Sequence, residues 1–196
     1  MKIISNISKF ALILSVVFAF QSCSSDDDNN DGGTPEELNI VETALIAPNL
    51  SSLVAALQAA DGNLDVVLSG NGPYTVLAPT NDAFATFLSD NGFANLDEVP
   101  TDVLSQILLN HVISADVTST DLTTMGSGYT STNADGVGGN KLSLYFNTSS
   151  GVTFNGISTV TTPDIDASNG TVHIVDAVIG LPDVVTFATA DPNFST

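Results

Sequence analysis

Apolar residues recur at helical spacing in the first half of the chain and at strand spacing in the second. Leu50, Leu53, Val54 and Leu57 share one helical face, and the run stops at Asp61-Gly62-Asn63. After the turn Gly70-Asn71-Gly72-Pro73, the run Tyr74–Ala78 (YTVLA) predicts a buried strand that Pro79 ends. Thr80 or Asn81 is placed to cap a short helix with apolar face Ala83, Phe84, Phe87 and Leu88. A third helix is expected from Thr101, after Pro100, with the stripe Val103, Leu104, Ile107 and Leu108.

Beyond residue 126 the texture changes. Lys141–Asn147, Val152–Asn155, Ile157–Thr162 and Thr171–Ile179 are short β-branched or aromatic runs separated by glycine-rich turns. Asn155-Gly156 and Asn169-Gly170, each flanked by apolar runs, predict hairpins. Gly126–Gly139 reads as a loop leading into a hairpin, and Asp183–Ala188 as a closing turn of helix. Helices first and antiparallel strands second define an α+β fold class.

The amino terminus has another character. Two lysines precede the apolar run Phe10–Phe20, which is too short to cross a bilayer, and Gln21-Ser22-Cys23 follows. Residues 1–22 therefore read as a signal peptide. Cys23 is the only cysteine, so no intramolecular disulfide can form, and its setting resembles the lipobox of bacterial lipoproteins. The expected lipid attachment is Cys23, with a bilayer as its partner. The acidic stretch that follows makes residues 23–36 a solvated tether, similar to the export signals of surface lipoproteins. Asp27, Asn29 and Asp31 nearly fit a calcium loop, but Leu38 stands where its closing glutamate belongs. Residues 37–188 are left for one domain and 189–196 for a tail. The expected location is the bacterial envelope, at the outer membrane, periplasmic or surface-exposed.

Charge and composition narrow the chemistry. The formal net charge is −19, and loss of residues 1–22 would leave Lys141 as the one basic side chain against 22 carboxylates. Such a surface repels phosphate backbones, which argues against nucleic acid. Two histidines at distant positions offer no zinc cluster, and neither a Gly-x-Ser-x-Gly elbow nor a phosphate loop is present. No catalytic residue, metal or cofactor is assigned. Within Thr171–Ile179, period two puts His173 and Asp176 on opposite faces, so they cannot form a dyad directly. His111 falls in the middle of the third helix's apolar stripe, where a neutral, doubly hydrogen-bonded imidazole is expected. Asn110 lies at the edge of that stripe, closer to solvent.

Three stretches in order resemble a fasciclin (FAS1) domain: Tyr74–Phe87 (YTVLAPTNDAFATF), Leu108–Val112 (LLNHV) and residues 169–182 (NGTVHIVDAVIGLP). The resemblance implies a wedge of antiparallel strands packed with several helices. It further implies an extracellular module for adhesion, binding proteins or glycans without catalysis. Where that family often has Tyr-His, this chain has Asn110-His111, so an integrin-type role is not carried over. Asp82, Asn110 and His111 are the candidate partner-binding residues. An envelope hydrolase using His111 or His173 with a nearby serine or carboxylate is the alternative.

Overall fold

The computed structural model describes residues 37–194. Cys23, the signal segment, the tether and the near-match to a calcium loop lie outside them. Seven α-helices are present: α1 (Ile40–Ile46), α2 (Ser51–Ala59), α3 (Leu64–Ser69), α4 (Asn81–Asp90), α5 (Thr101–Leu109), α6 (Ser119–Met125) and α7 (Val184–Ala190). The seven strands are β1 (Tyr74–Pro79), β2 (Val112–Ile113), β3 (Ser127–Asp135), β4 (Lys141–Asn147), β5 (Thr153–Phe154), β6 (Ser158–Ala167) and β7 (Gly170–Val175).

The strands form one mixed sheet in the order β2-β1-β7-β6-β5-β4-β3. All neighbours are antiparallel except β1 and β7, which run parallel from Tyr74↔Gly170 to Pro79↔Val175. The sheet curls until edge strands β2 and β3 lie against each other. The expected α+β class is what is found.

The parallel pair is buried on both faces, as parallel strands usually are. Val76, Ala78, Val172 and Ile174 face the helices, joining Leu53, Leu57, Phe84, Leu104 and Leu108 in the larger core. Leu77 and Val175 face the other way, into a second core with Ile113, Leu144, Phe146, Phe154 and Ile179. Each of the buried Val, Leu, Ile and Phe side chains contributes about 1.5–3 kcal/mol relative to exposure.

Local signals locate the element ends. Thr80 caps α4, its hydroxyl accepting from the Ala83 amide (3.2 Å). Capping boxes open α1 (Asn39 with Glu42) and α6 (Thr118 with Asp121). Asn155 and Gly156 have φ of 49° and 69°, left-handed values at the centre of the turn that the Ile157 amide closes onto the Phe154 carbonyl (3.1 Å).

Asn169-Gly170 plays a different part. Ser168 and Asn169 make the turn, and Gly170 already pairs with Ala167. Gly170 has φ +147°, and a Cβ there would sit 1.9 Å from the Tyr74 carbonyl oxygen. Its small size is needed for the close approach of β1. The Asn169 side chain accepts from the Ile40 amide (3.0 Å) and donates to the Leu68 (2.8 Å) and Gly70 (2.7 Å) carbonyls, clasping α1, α3 and β7.

Two expectations are corrected. Ser127–Asp135 is an edge strand rather than a loop; its outward positions are Ser, Tyr and Asp, and only Thr132 and Ala134 are buried. Order also continues past residue 188. Asp191 is buried and accepts from the Tyr129 hydroxyl (2.8 Å), so α7 and the turn after it belong to the domain.

Gly170→Ala should destabilise the fold by about 2–4 kcal/mol, because both the dihedral and the Tyr74 carbonyl oppose a methyl group. Thermal unfolding measures this, and an unchanged melting temperature would contradict the close-packing role.

Candidate functional site

His111 lies just beyond α5, in the α5–β2 connection, with 2% exposure. Its Nδ1 is 2.7 Å from the Ile107 carbonyl oxygen and its Nε2 is 2.9 Å from the Ile179 amide. A carbonyl needs a donor and an amide needs a lone pair, so Nδ1 carries the proton and Nε2 accepts. Burial lowers the imidazole pKa from 6.5 to about 4, against a raising effect of the Ile107 carbonyl. The His111 carbonyl also accepts from the Leu77 amide (2.9 Å). One residue thus joins α5, β1 and the segment after β7.

Asn110 requires a correction. It is fully buried rather than at a solvent edge. Its amide donates to the Ile179 (3.3 Å) and Gly180 (3.0 Å) carbonyls, and its oxygen accepts from the Thr132 hydroxyl (3.1 Å). Asn110 keeps helical dihedrals (φ −70°, ψ −13°) at the end of α5, and residues 179–180 together with Thr132 cover the side of the helix it faces. Neither Asn110 nor His111 reaches a partner-binding surface.

His173 is also fully buried. Its Nε2 donates to the Val117 carbonyl (2.9 Å) and its Nδ1 accepts from the Asp164 amide (3.1 Å), the opposite tautomer to His111. The Asp164 carboxylate lies 3.9 Å from Nδ1, but that nitrogen has its lone pair toward an amide and makes no ion pair while neutral. Burial pushes the Asp164 carboxyl up, yet the Ser119 hydroxyl and amide outweigh it and hold the group below the usual carboxylate range. Asp176 is exposed beyond the end of β7 and accepts from the Thr159 amide (2.6 Å). The two residues have separate partners.

His173 belongs to a row of polar positions on one face of β1 and β7. Thr75 donates to the Ala115 carbonyl (2.7 Å) and accepts from the Val117 amide (2.8 Å). Thr171 donates to the Asp116 carboxylate (2.7 Å). Together these three side chains hold segment 115–117 across the sheet.

Asp82 stays at the surface, in the first turn of α4, where a negative charge suits the helix dipole. Its neighbour Asn81 is spent on structure, accepting from the Ser52 amide (2.8 Å) and donating to the Pro48 carbonyl (3.0 Å). Farther along α4 a groove of about 370 Å³ opens beside residues 176–180. Ala83, Phe87, Ile157 and Val178 supply apolar lining, and Asp90 and Asp176 supply carboxylates. The sequence reading missed this groove because its walls are distant in the chain. Asp90 at the carboxyl end of an amphipathic helix was the available signal.

No group of His, Cys, Asp and Glu suited to holding a metal ion occurs among the described residues. The buried polar side chains described above support backbone, and the exterior is acidic. The fasciclin domain family model matches residues 48–182, and the chain belongs to that family of adhesion-type modules.

Two Synechocystis proteins are similar to it. Protein sll1483 is 36% identical over 150 residues, covering 76% of this chain and 77% of that protein. Uncharacterized protein sll1735 is 36% identical over 141 residues, covering 72% and 96%. A FAS1 domain pair from the insect cell adhesion molecule fasciclin I aligns at 22% identity with a TM-score of 0.49, covering 74% of this chain and 50% of that one.

The His111 environment gives a pH dependence. Between pH 6.5 and about 4 the unfolded chain binds a proton at this site that the folded chain does not. The stabilisation is complete above pH 6.5 and declines toward pH 4, by on the order of 3 kcal/mol. His111→Gln keeps an acceptor for the Ile179 amide but cannot titrate. Melting temperatures at pH 7 and pH 4.5 should therefore differ less for the variant than for the parent; equal differences would contradict the assignment.

Proposed function

We propose that the protein is a lipid-anchored binding module of the bacterial envelope. Cys23 carries the lipid after residues 1–22 are removed, residues 23–36 provide reach, and the fasciclin domain recognises a protein or glycan non-covalently. The observation that carries this reading is the fasciclin match over residues 48–182. The mechanism is positional: anchor, tether and surface bring two envelope or matrix components together without a chemical step.

The internal geometry supports a non-catalytic role. A hydrolase would need a free imidazole nitrogen beside a nucleophile or a water. All four ring nitrogens of His111 and His173 are engaged by backbone groups, and both rings are buried. Surface charge supports a choice among partners. Lys141, the one basic residue after position 9, is paired with Asp135 at 2.7 Å, so the exterior presents carboxylates with little internal compensation. Basic or cation-bridged partners suit that surface, and nucleic acid does not.

Cys23→Ala should move the protein from the membrane to the soluble fraction and abolish acyl labelling. Fractionation of cells expressing the variant tests this, and undiminished membrane retention would contradict the anchor. Protease applied to intact parental cells then reports display, since a surface domain is degraded and a periplasmic one survives.

A further inference from the structure

The groove beside α4 combines apolar lining with carboxylates from separate parts of the fold. Asp90 is the last residue of α4, and Asp176 lies just beyond the end of β7. Phe87, Val178 and Ala83 line the space between them, with Ile157 56% exposed at the rim. Buried Asn110 fixes this wall from behind by holding the Ile179 and Gly180 carbonyls. The groove is thus built on a rigid support rather than on a loose loop.

Among the described residues neither carboxylate meets a cation. Asp176 uses Oδ1 for the Thr159 amide and leaves its other oxygen unbonded among the described residues; Asp90 makes no side-chain hydrogen bond there. Lys141, the one basic side chain among them, is on β4 and occupied by Asp135 and the Asn133 carbonyl. Asp90 is also unfavourably placed for the helix itself, since a negative charge at the carboxyl end opposes the dipole. Its position is a net cost to the isolated domain, and a positive ligand would reverse that sign.

We infer that this groove receives a lysine or arginine side chain from a basic protein segment. The aliphatic stem lies on Phe87, Val178 and Ile157, and the cationic head reaches Asp90 and Asp176. Long basic side chains have this two-part character, an apolar stem with a charged tip, and the groove offers apolar lining together with two carboxylates. A second copy of this chain is disfavoured as occupant because acidic surfaces repel. The inference rests on the binding-module reading and adds the chemistry of the partner.

The test is an NMR titration of the ¹⁵N-labelled full chain in detergent at fixed ionic strength. The probe is the capped tripeptide Ac-Gly-Arg-Gly-NH₂, with Ac-Gly-citrulline-Gly-NH₂ as its neutral isostere. Amide shifts should concentrate in residues 86–91 and 176–180 with the arginine peptide and be absent with citrulline. The double substitution Asp90→Asn and Asp176→Asn should weaken the response about tenfold. Asn at 176 retains the acceptor for Thr159, and an otherwise unchanged spectrum verifies the fold; Asp90→Asn alone should keep or slightly raise the melting temperature.

Equal shifts with citrulline, shifts spread over the whole acidic surface, or a response indifferent to the double substitution would overturn the assignment. So would calcium chloride reproducing the same shifts and displacing the peptide, which would make the groove a cation site. Attachment of cells to a matrix judges the broader reading separately. Groove shifts without any attachment loss in cells lacking the protein contradict adhesion but leave the groove; attachment loss without groove shifts does the reverse.

Discussion

The hydrogen bond from the Ile179 amide to the neutral His111 ring is the contact on which the rest of the domain's arrangement depends. The ring's other nitrogen returns to α5 through Ile107, and the residue's carbonyl takes the Leu77 amide from β1. Three segments remote in sequence, residues 74–79, 107–112 and 179–180, meet at one residue, two through its ring and one through its carbonyl. A charged ring there would lose the lone pair that Ile179 needs and would carry an unscreened charge among aliphatic side chains. Burial therefore keeps the group neutral, and neutrality keeps the bridge. Asn110 extends the same junction by satisfying two more carbonyls of the returning chain.

The second histidine follows the same logic in another place. Thr75, Thr171 and His173 interrupt apolar strands, yet each binds part of segment 115–117, whose backbone would otherwise lie unpaired on the sheet. The bulge at Asp164, with φ of 55°, points that residue's amide at His173 while its carboxylate holds the start of α6 at Ser119. Polar residues inside this domain thus organise backbone. That internal role fits a fasciclin domain that works by contact, with lipid, tether and acidic surface as the working parts of the proposal.

Much of this was legible in the sequence because it is local. The periodicity of Leu50–Leu57, the cap at Thr80, the start of α5 after Pro100 and the Asn155-Gly156 turn all depend on neighbouring residues. His173 and Asp176 do lie apart with separate partners, although β7 ends at Val175, one residue before the aspartate. Less visible were elements whose stability comes from tertiary packing. Strand β3 carries Ser, Tyr and Asp outward and buries only Thr132 and Ala134, so its pattern resembles a loop. The short helices α1 and α6 announce themselves only through their capping boxes. Asn110 looked peripheral on the helix, but residues 179–180 and Thr132, distant in sequence, pack over that edge and bury it. The groove between Asp90 and Asp176 depends on two distant elements meeting, which no local pattern encodes.

The most direct measurement is a long-range ¹H–¹⁵N spectrum of the two imidazole rings as a function of pH. Two histidines make assignment simple, with His173→Gln removing one set of signals. The expected result is a neutral His111 in the Nδ1–H tautomer at pH 6, remaining neutral until pH approaches about 4, with the neutral form of His173 carrying its proton on Nε2. A His111 ring that titrates near 6.5, or that exchanges freely between tautomers, would contradict it.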